Sequence, residues 1–166
     1  MLDRMSKDFR ANISKSFQLN QIEFLRKLGQ GMSSKVYLVK HADRYYALKS
    51  LCKNTVLEGQ SVSYILSERD ILCLCQANPF IVQLYSAFQT AERLFFLMEV
   101  ARAGCLYDLL EAQAPRPFRQ ERIIFYTGQV TCALMFLHSR KIVCRFSNDS
   151  YRTWVFLLLL CRFIEI

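Results

Sequence analysis

Gly29-Gln30-Gly31-Met32-Ser33-Ser34-Lys35-Val36, followed by Tyr46-Ala47-Leu48-Lys49 and then by Glu68, is the stretch that decides the fold. Ile22 to Leu28 reads as a strand running into Gly29 and Gly31, Lys35 to Lys40 as its hairpin partner, and Arg44 to Leu51 as a third strand after a turn at Ala42-Asp43. Ser61 to Gln76 then reads as a helix in which Ile65, Glu68 and Leu72 share one face at spacings of three and four. That spacing turns a carboxylate inward among apolar neighbours. A carboxylate so placed needs a cationic partner, because burying it alone is costly.

Outward from this centre the elements follow in order. Thr55 with Glu58 fits a capping box for a short helix ended by Gly59. Asn78-Pro79 breaks the longer helix, and Ile81 to Phe88 and Arg93 to Val100 read as two further strands around a turn near Thr90-Ala91-Glu92. After a seam near Arg102-Ala103-Gly104 the character becomes helical, with Leu106 to Ala112 and, past Pro115 and Pro117, Gln120 to His138. In that last segment Ile123, Thr127, Val130, Leu134 and Leu137 form a helical stripe. The pattern predicts a flexible arm over residues 1–20, a sheet domain over 21–102, a helical part over 103–145 and an apolar tail over 146–166. The fold class expected is α+β.

A chain of 166 residues with an apolar fraction of 52% is long enough and greasy enough for a real core. The net charge of +8 comes from scattered basic residues without a run of five or six, so no nucleic-acid partner is expected. Seven cysteines, an odd number without a C-x-x-C pair or a histidine at zinc spacing, read as reduced thiols of an intracellular, cytoplasmic protein with no metal site. Met1 to Lys15 has no continuous apolar run of signal-peptide length. Trp154 to Cys161 is an apolar run of eight residues closed by Arg162, too short for the roughly 20 apolar residues that cross a bilayer, so no transmembrane segment is expected.

A glycine-rich hairpin tip lets backbone N–H groups approach phosphate oxygens without an obstructing Cβ. By itself such a tip is common at hairpins. A lysine on a strand, such as Lys49, is ordinarily a solvated charge as well. Glu68 on the inward face of the following helix changes that reading, since it supplies the ion-pair partner that would hold the lysine in place.

Together with Ser67-Glu68-Arg69-Asp70-Ile71-Leu72, Asn78-Pro79-Phe80-Ile81-Val82, Leu97-Met98-Glu99-Val100 and Phe136-Leu137-His138-Ser139, these motifs make residues 22–145 resemble the AGC class of serine/threonine protein kinases, with protein kinase C-like and cyclic-AMP-dependent kinase-like features. The resemblance implies a kinase-type N-terminal lobe, five antiparallel strands with the Glu68 helix packed on them, followed by an incomplete helical lobe. It implies ATP as the bound cofactor, contacted by Leu28, Gly29, Gly31, Val36, Ala47, Lys49, Glu68, Met98, Glu99 and Ala101. In that scheme Lys49 meets the α- and β-phosphates and Glu68 anchors it. Val36 and Ala47 cover adenine, Met98 is the gatekeeper, and the backbone of Glu99 and Ala101 meets the adenine edge.

The same resemblance exposes departures. Cys105 stands where an acidic residue usually meets the ribose, and Ser34 where a third glycine is usual. Cys144-Arg145-Phe146-Ser147-Asn148-Asp149-Ser150-Tyr151 aligns with Tyr-Arg-Asp-Leu-Lys-Pro-Glu-Asn, so Phe146 replaces the catalytic base and Tyr151 the magnesium-binding asparagine. No catalytic residue is therefore assigned. Asp149 lies three positions late for a group that must come within about 3 Å of the proton it takes. With no Asp-Phe-Gly following, the case for Mg2+ weakens, and ATP binding in the sub-millimolar to millimolar range is expected. The abrupt change after Arg145 is what a truncated or alternatively spliced product would show. A non-catalytic fragment that engages kinase regulators or protein substrates is the alternative function, and an unstable product the third.

Overall fold

The computed structural model describes residues 17–31, 34–58, 62–76, 78–101, 106–113, 115–116 and 118–143. Its strands are β1 (Glu23–Gln30), β2 (Ser34–His41), β3 (Arg44–Cys52), β4 (Leu84–Gln89) and β5 (Arg93–Met98), and its helices α1 (Lys53–Glu58), α2 (Val62–Leu74), α3 (Leu106–Ala112) and α4 (Gln120–Ser139). The strands form one five-stranded sheet in the order β1-β2-β3-β5-β4. Every neighbouring pair is antiparallel. This is the α+β architecture expected, a kinase-type sheet lobe followed by helices.

The chain divides into two compact units. The sheet unit holds all five strands with α1 and α2, and the helical unit holds the described residues of 78–82 and of 101–143.

Within the sheet unit, strand alternation sorts side chains onto two faces. One face carries Val39, Tyr46, Leu48, Phe95 and Leu97, which pack with Ile22 and Phe17 into a buried cluster. Phe17 meets His41 and Tyr46 edge-on, at centroid separations of 4.8 and 5.8 Å. The packed body thus takes in a residue from the stretch whose sequence suggested a flexible arm: a large aromatic ring at its end finds apolar surface to cover. Val36, Ala47 and Val100 form a second cluster, with Leu38 against it.

Two local features differ from the sequence expectation. The short helix α1 starts at Lys53, directly after the end of β3 at Cys52 and ahead of the Thr55 position expected to cap it. Gly59, expected to end it, lies outside the described residues. Strand β4 starts at Leu84 rather than Ile81. The Asn78 side chain accepts the Phe80 N–H at 2.8 Å and its carbonyl the Ile81 N–H at 3.4 Å, which bends this stretch into a turn although Ile81 and Val82 are buried.

In the helical unit α4 spans twenty residues. Of its predicted stripe Leu137 is buried, Val130 and Leu134 are half-buried, and Ile123 and Thr127 are exposed. The helix closes in a Schellman motif: Lys141 N–H donates to the His138 carbonyl and Ile142 N–H to that of Leu137, both at 2.9 Å. His138 is an exposed residue of the last turn.

Candidate functional site

The antiparallel register builds the site. Gly29 pairs with Val36, Val36 with Lys49, Lys49 with Phe96, and Phe96 with Ala87. Residues directly opposite in an antiparallel ladder share a face, so these five form one row across the whole sheet. The adjacent row on the same face runs from Leu38 through Ala47 to Met98. With neighbouring strands about 4.8 Å apart, Gly29 lies about 10 Å from the backbone of Lys49. The lysine stem therefore lies within reach of the glycine strand.

Lys49 is 4% exposed, so its ammonium needs compensation inside the protein. Helix α2 provides it. Lys49 Nζ donates to Glu68 Oε1 at 2.7 Å and to Oε2 at 2.9 Å, and Glu68 is itself 6% exposed. Ile65 and Leu72 are the other buried residues of α2, so the helical face predicted to carry the carboxylate is the face that packs. The ammonium also lies over the Phe96 ring, 5.9 Å from its centroid, where the π face adds a weak attraction. The lysine is held by a carboxylate and contacts an aromatic ring.

Apolar cover stands beside this charged pair. Val36 and Ala47 are buried and touch Val100 and Leu38. Leu28 is 40% exposed on β1, next to the half-buried Gly29. At the hairpin tip Gly31 N–H donates to the Ser34 carbonyl at 2.8 Å, which closes the β1–β2 turn. Met98 is fully buried at the end of β5. Glu99 N–H donates to the Gln83 carbonyl at 2.9 Å, so this donor is already engaged. Ala101 is half-buried. Cys105 and Phe146 lie outside the described residues.

Three contributors were not among the residues singled out from the sequence: Leu38, Phe96 and Val100. The period of two in β2 and β5 was the available signal. Once Val36 is assigned to a face, Leu38 belongs to it, and once Met98 is, so does Phe96.

Among the described residues no group of three or more His, Cys, Asp or Glu could hold a metal ion. No helix among them is long and apolar enough to cross a membrane. Cys52, Cys73, Cys75 and Cys132 are free thiols. Two of these differ in acidity. The Thr55 backbone N–H, then its side chain and the Asn54 N–H, hold the Cys52 thiol below its ordinary pKa, with Arg93 adding to this. Burial pushes the Cys73 thiol up.

A family profile described as "Protein kinase domain" matches residues 22–145. Similar curated proteins include "Protein kinase C eta type" of Mus musculus, 39% identical over 136 residues, which are 81% of this chain and 20% of that protein. "Protein kinase C epsilon type" of Oryctolagus cuniculus is 38% identical over 140 residues, 83% of this chain and 19% of that protein. "Serine/threonine-protein kinase Sgk1" of Fundulus heteroclitus is 36% identical over 128 residues, 76% of this chain and 29% of that protein. The chain spans about a fifth of the length of the protein kinase C relatives it matches.

Proposed function

The chain belongs to the protein kinase family, and on that premise we propose that its sheet unit binds ATP while residues 1–166 do not themselves catalyse phosphoryl transfer. The observation that carries the first half is the closed, buried Lys49–Glu68 pair in line with Gly29 and Val36. A buried lysine held by a carboxylate keeps its charge and its direction, which is what recognition of a phosphate chain requires. Lys49 is the phosphate contact in this reading, and Glu68 positions it. The N–H groups near Gly29 and Gly31 lie where a missing Cβ permits close approach.

Val36 and Ala47, with Leu38 and Val100 behind them, offer adenine an apolar surface. Met98 bounds that surface, Leu28 extends it, and Glu99 supplies a backbone group for the base edge. ATP, when bound, supplies the phosphoryl group and its charge. The chain's own residues orient the phosphates and exclude water from the base.

The second half of the proposal rests on Phe146. A phenyl ring can neither accept a proton from a substrate hydroxyl nor orient it by hydrogen bonding, so the general-base contribution is absent at that position. Tyr151 likewise offers no amide oxygen to Mg2+. With the metal contribution reduced, the affinity for ATP falls in the sub-millimolar to millimolar range. A cytoplasmic setting belongs to the same reading, supported by the free thiols of the described cysteines. Incubation with labelled ATP, Mg2+ and a basic peptide substrate, beside an active protein kinase C, tests the second half. No transfer above background is expected, and turnover lost in the Lys49→Met variant would overturn it.

A second reading is favoured by one observation. Ile124 and Met135 on α4 are 62% and 66% exposed, and apolar side chains so presented suit contact with another protein. A non-catalytic fragment that engages kinase regulators or substrates would use that helix. Co-purification with such a regulator, lost on Ile124→Ser/Met135→Ser, is its test.

A further inference from the structure

A concavity of about 860 Å3 is lined by Ala112, Gln113, Arg116, Arg119, Glu121 and Arg122. It lies within the helical unit, on the segment joining α3 to α4, and shares no residue with the ATP site proposed above. Its size falls in the range of about 300–1,000 Å3 typical of small-molecule sites. Three arginines and one glutamate are among the lining residues, so the lining carries a net charge of +2.

The placement of these charges is unfavourable without a ligand. Arg119 is the N-cap of α4, a position that prefers a short oxygen-bearing side chain, and it makes no side-chain cap hydrogen bond. Its carbonyl accepts the N–H groups of Arg122 and Ile123, at 3.0 and 3.1 Å. The N–H groups of Gln120 and Glu121 belong to the first turn, for which a helix provides no acceptor. Arg116, Arg119 and Arg122 thus lie at or near the start of a twenty-residue helix that already carries a partial positive charge there, and among the described lining residues Glu121 is the one acid. The Arg122 guanidinium is steadied over the Phe118 ring, 5.6 Å from its centroid. A bound polyanion would relieve the repulsion, meet the planar donor forks of arginine, and accept from the first turn of the helix.

We propose that this concavity binds a small organic polyphosphate, a ligand carrying two or more phosphate groups. One phosphate engages a single fork, whereas the spread of three arginines over seven positions of chain and the volume of the concavity suit a longer anion. All three arginines are exposed, so binding weakens steeply with salt.

Calorimetric titration of the whole chain without Mg2+ tests this, with tripolyphosphate, inorganic phosphate and a phosphoserine peptide as separate arms. Tripolyphosphate is expected to bind at least about tenfold more tightly than phosphate, and at least about tenfold more weakly to Arg116→Gln/Arg119→Gln/Arg122→Gln. Because the arginines are exposed, far-ultraviolet circular dichroism of that variant should match the parent. The variant Lys49→Met/Glu68→Leu, which removes the charged pair of the sheet unit, should retain this binding, so failure of the ATP reading and failure of this one are separable. Equal affinity of parent and arginine variant, tighter binding of the phosphopeptide, or no binding at about 10 mM would each overturn the proposal.

Discussion

Lys49 Nζ and the Glu68 carboxylate stand 2.7 and 2.9 Å apart, atom to atom, with each side chain about nineteen-twentieths buried. They come from different elements, β3 and α2, and only the packing of the Ile65–Glu68–Leu72 face brings them together. A pair of this kind fixes one helix position against the sheet. It also links the local chemistry of the site to the stability of the unit that holds it.

Removing one charge from this pair should therefore cost more than removing both. Lys49→Met and Glu68→Leu each leave an uncompensated buried charge, for which a loss of about 3–5 kcal/mol is expected, while the double variant should recover most of it. Urea unfolding of the four proteins measures the coupling. Single losses that simply add would show that the two side chains do not act as a pair.

Acidity separates two cysteines of similar, partial exposure. Hydrogen bonds at the start of α1 lower the Cys52 pKa, and burial raises that of Cys73. The thiolate is the reactive form, so as pH rises Cys52 should alkylate first, at a pH below the ordinary thiol range, and Cys73 only above it. Iodoacetamide labelling followed by peptide mass spectrometry reads both rates. Thr55→Val, which removes a hydrogen bond to the sulfur, should shift the Cys52 profile to higher pH.

The close of α4 places a side chain where glycine is preferred. Lys141 has φ of 61°, in the left-handed region, and is exposed, so it loses no packing on truncation. Lys141→Gly should stabilise the chain by about 1 kcal/mol, the usual cost of a Cβ at that conformation. Thermal denaturation would register this as a rise in Tm of a few degrees. A fall would mean that the lysine side chain makes a stabilising contact.

Much of this was legible in the sequence because the signals were periodic. The turn at Ala42-Asp43 marked the start of strand β3, and the spacing of Ile65, Glu68 and Leu72 gave helix α2 and the inward carboxylate. Where chemistry was local and non-periodic it was missed. Helix α1 follows β3 without an intervening turn, so nothing in the sequence marks its start at Lys53 and Thr55 drew the assignment. Ile81 and Val82 are buried like strand residues but sit in a turn held by Asn78, a distinction apolarity alone cannot make. Phe17 joins the core from a polar stretch in which no period distinguished it from Phe9. Phe96 follows from Met98 by the period of two, whereas Val100, past the end of β5, joins the site only by packing with Val36 and Ala47.

The central claim is that the sheet unit binds nucleotide through Lys49, and the most direct measurement is an equilibrium titration with ATP and Mg2+ in the Arg116→Gln/Arg119→Gln/Arg122→Gln background, where the second anion site is removed. We predict saturable binding with a Kd between about 0.1 and several millimolar, weakened at least about tenfold when Lys49→Met/Glu68→Leu is added. The same binding curve with and without the Lys49–Glu68 pair would contradict it.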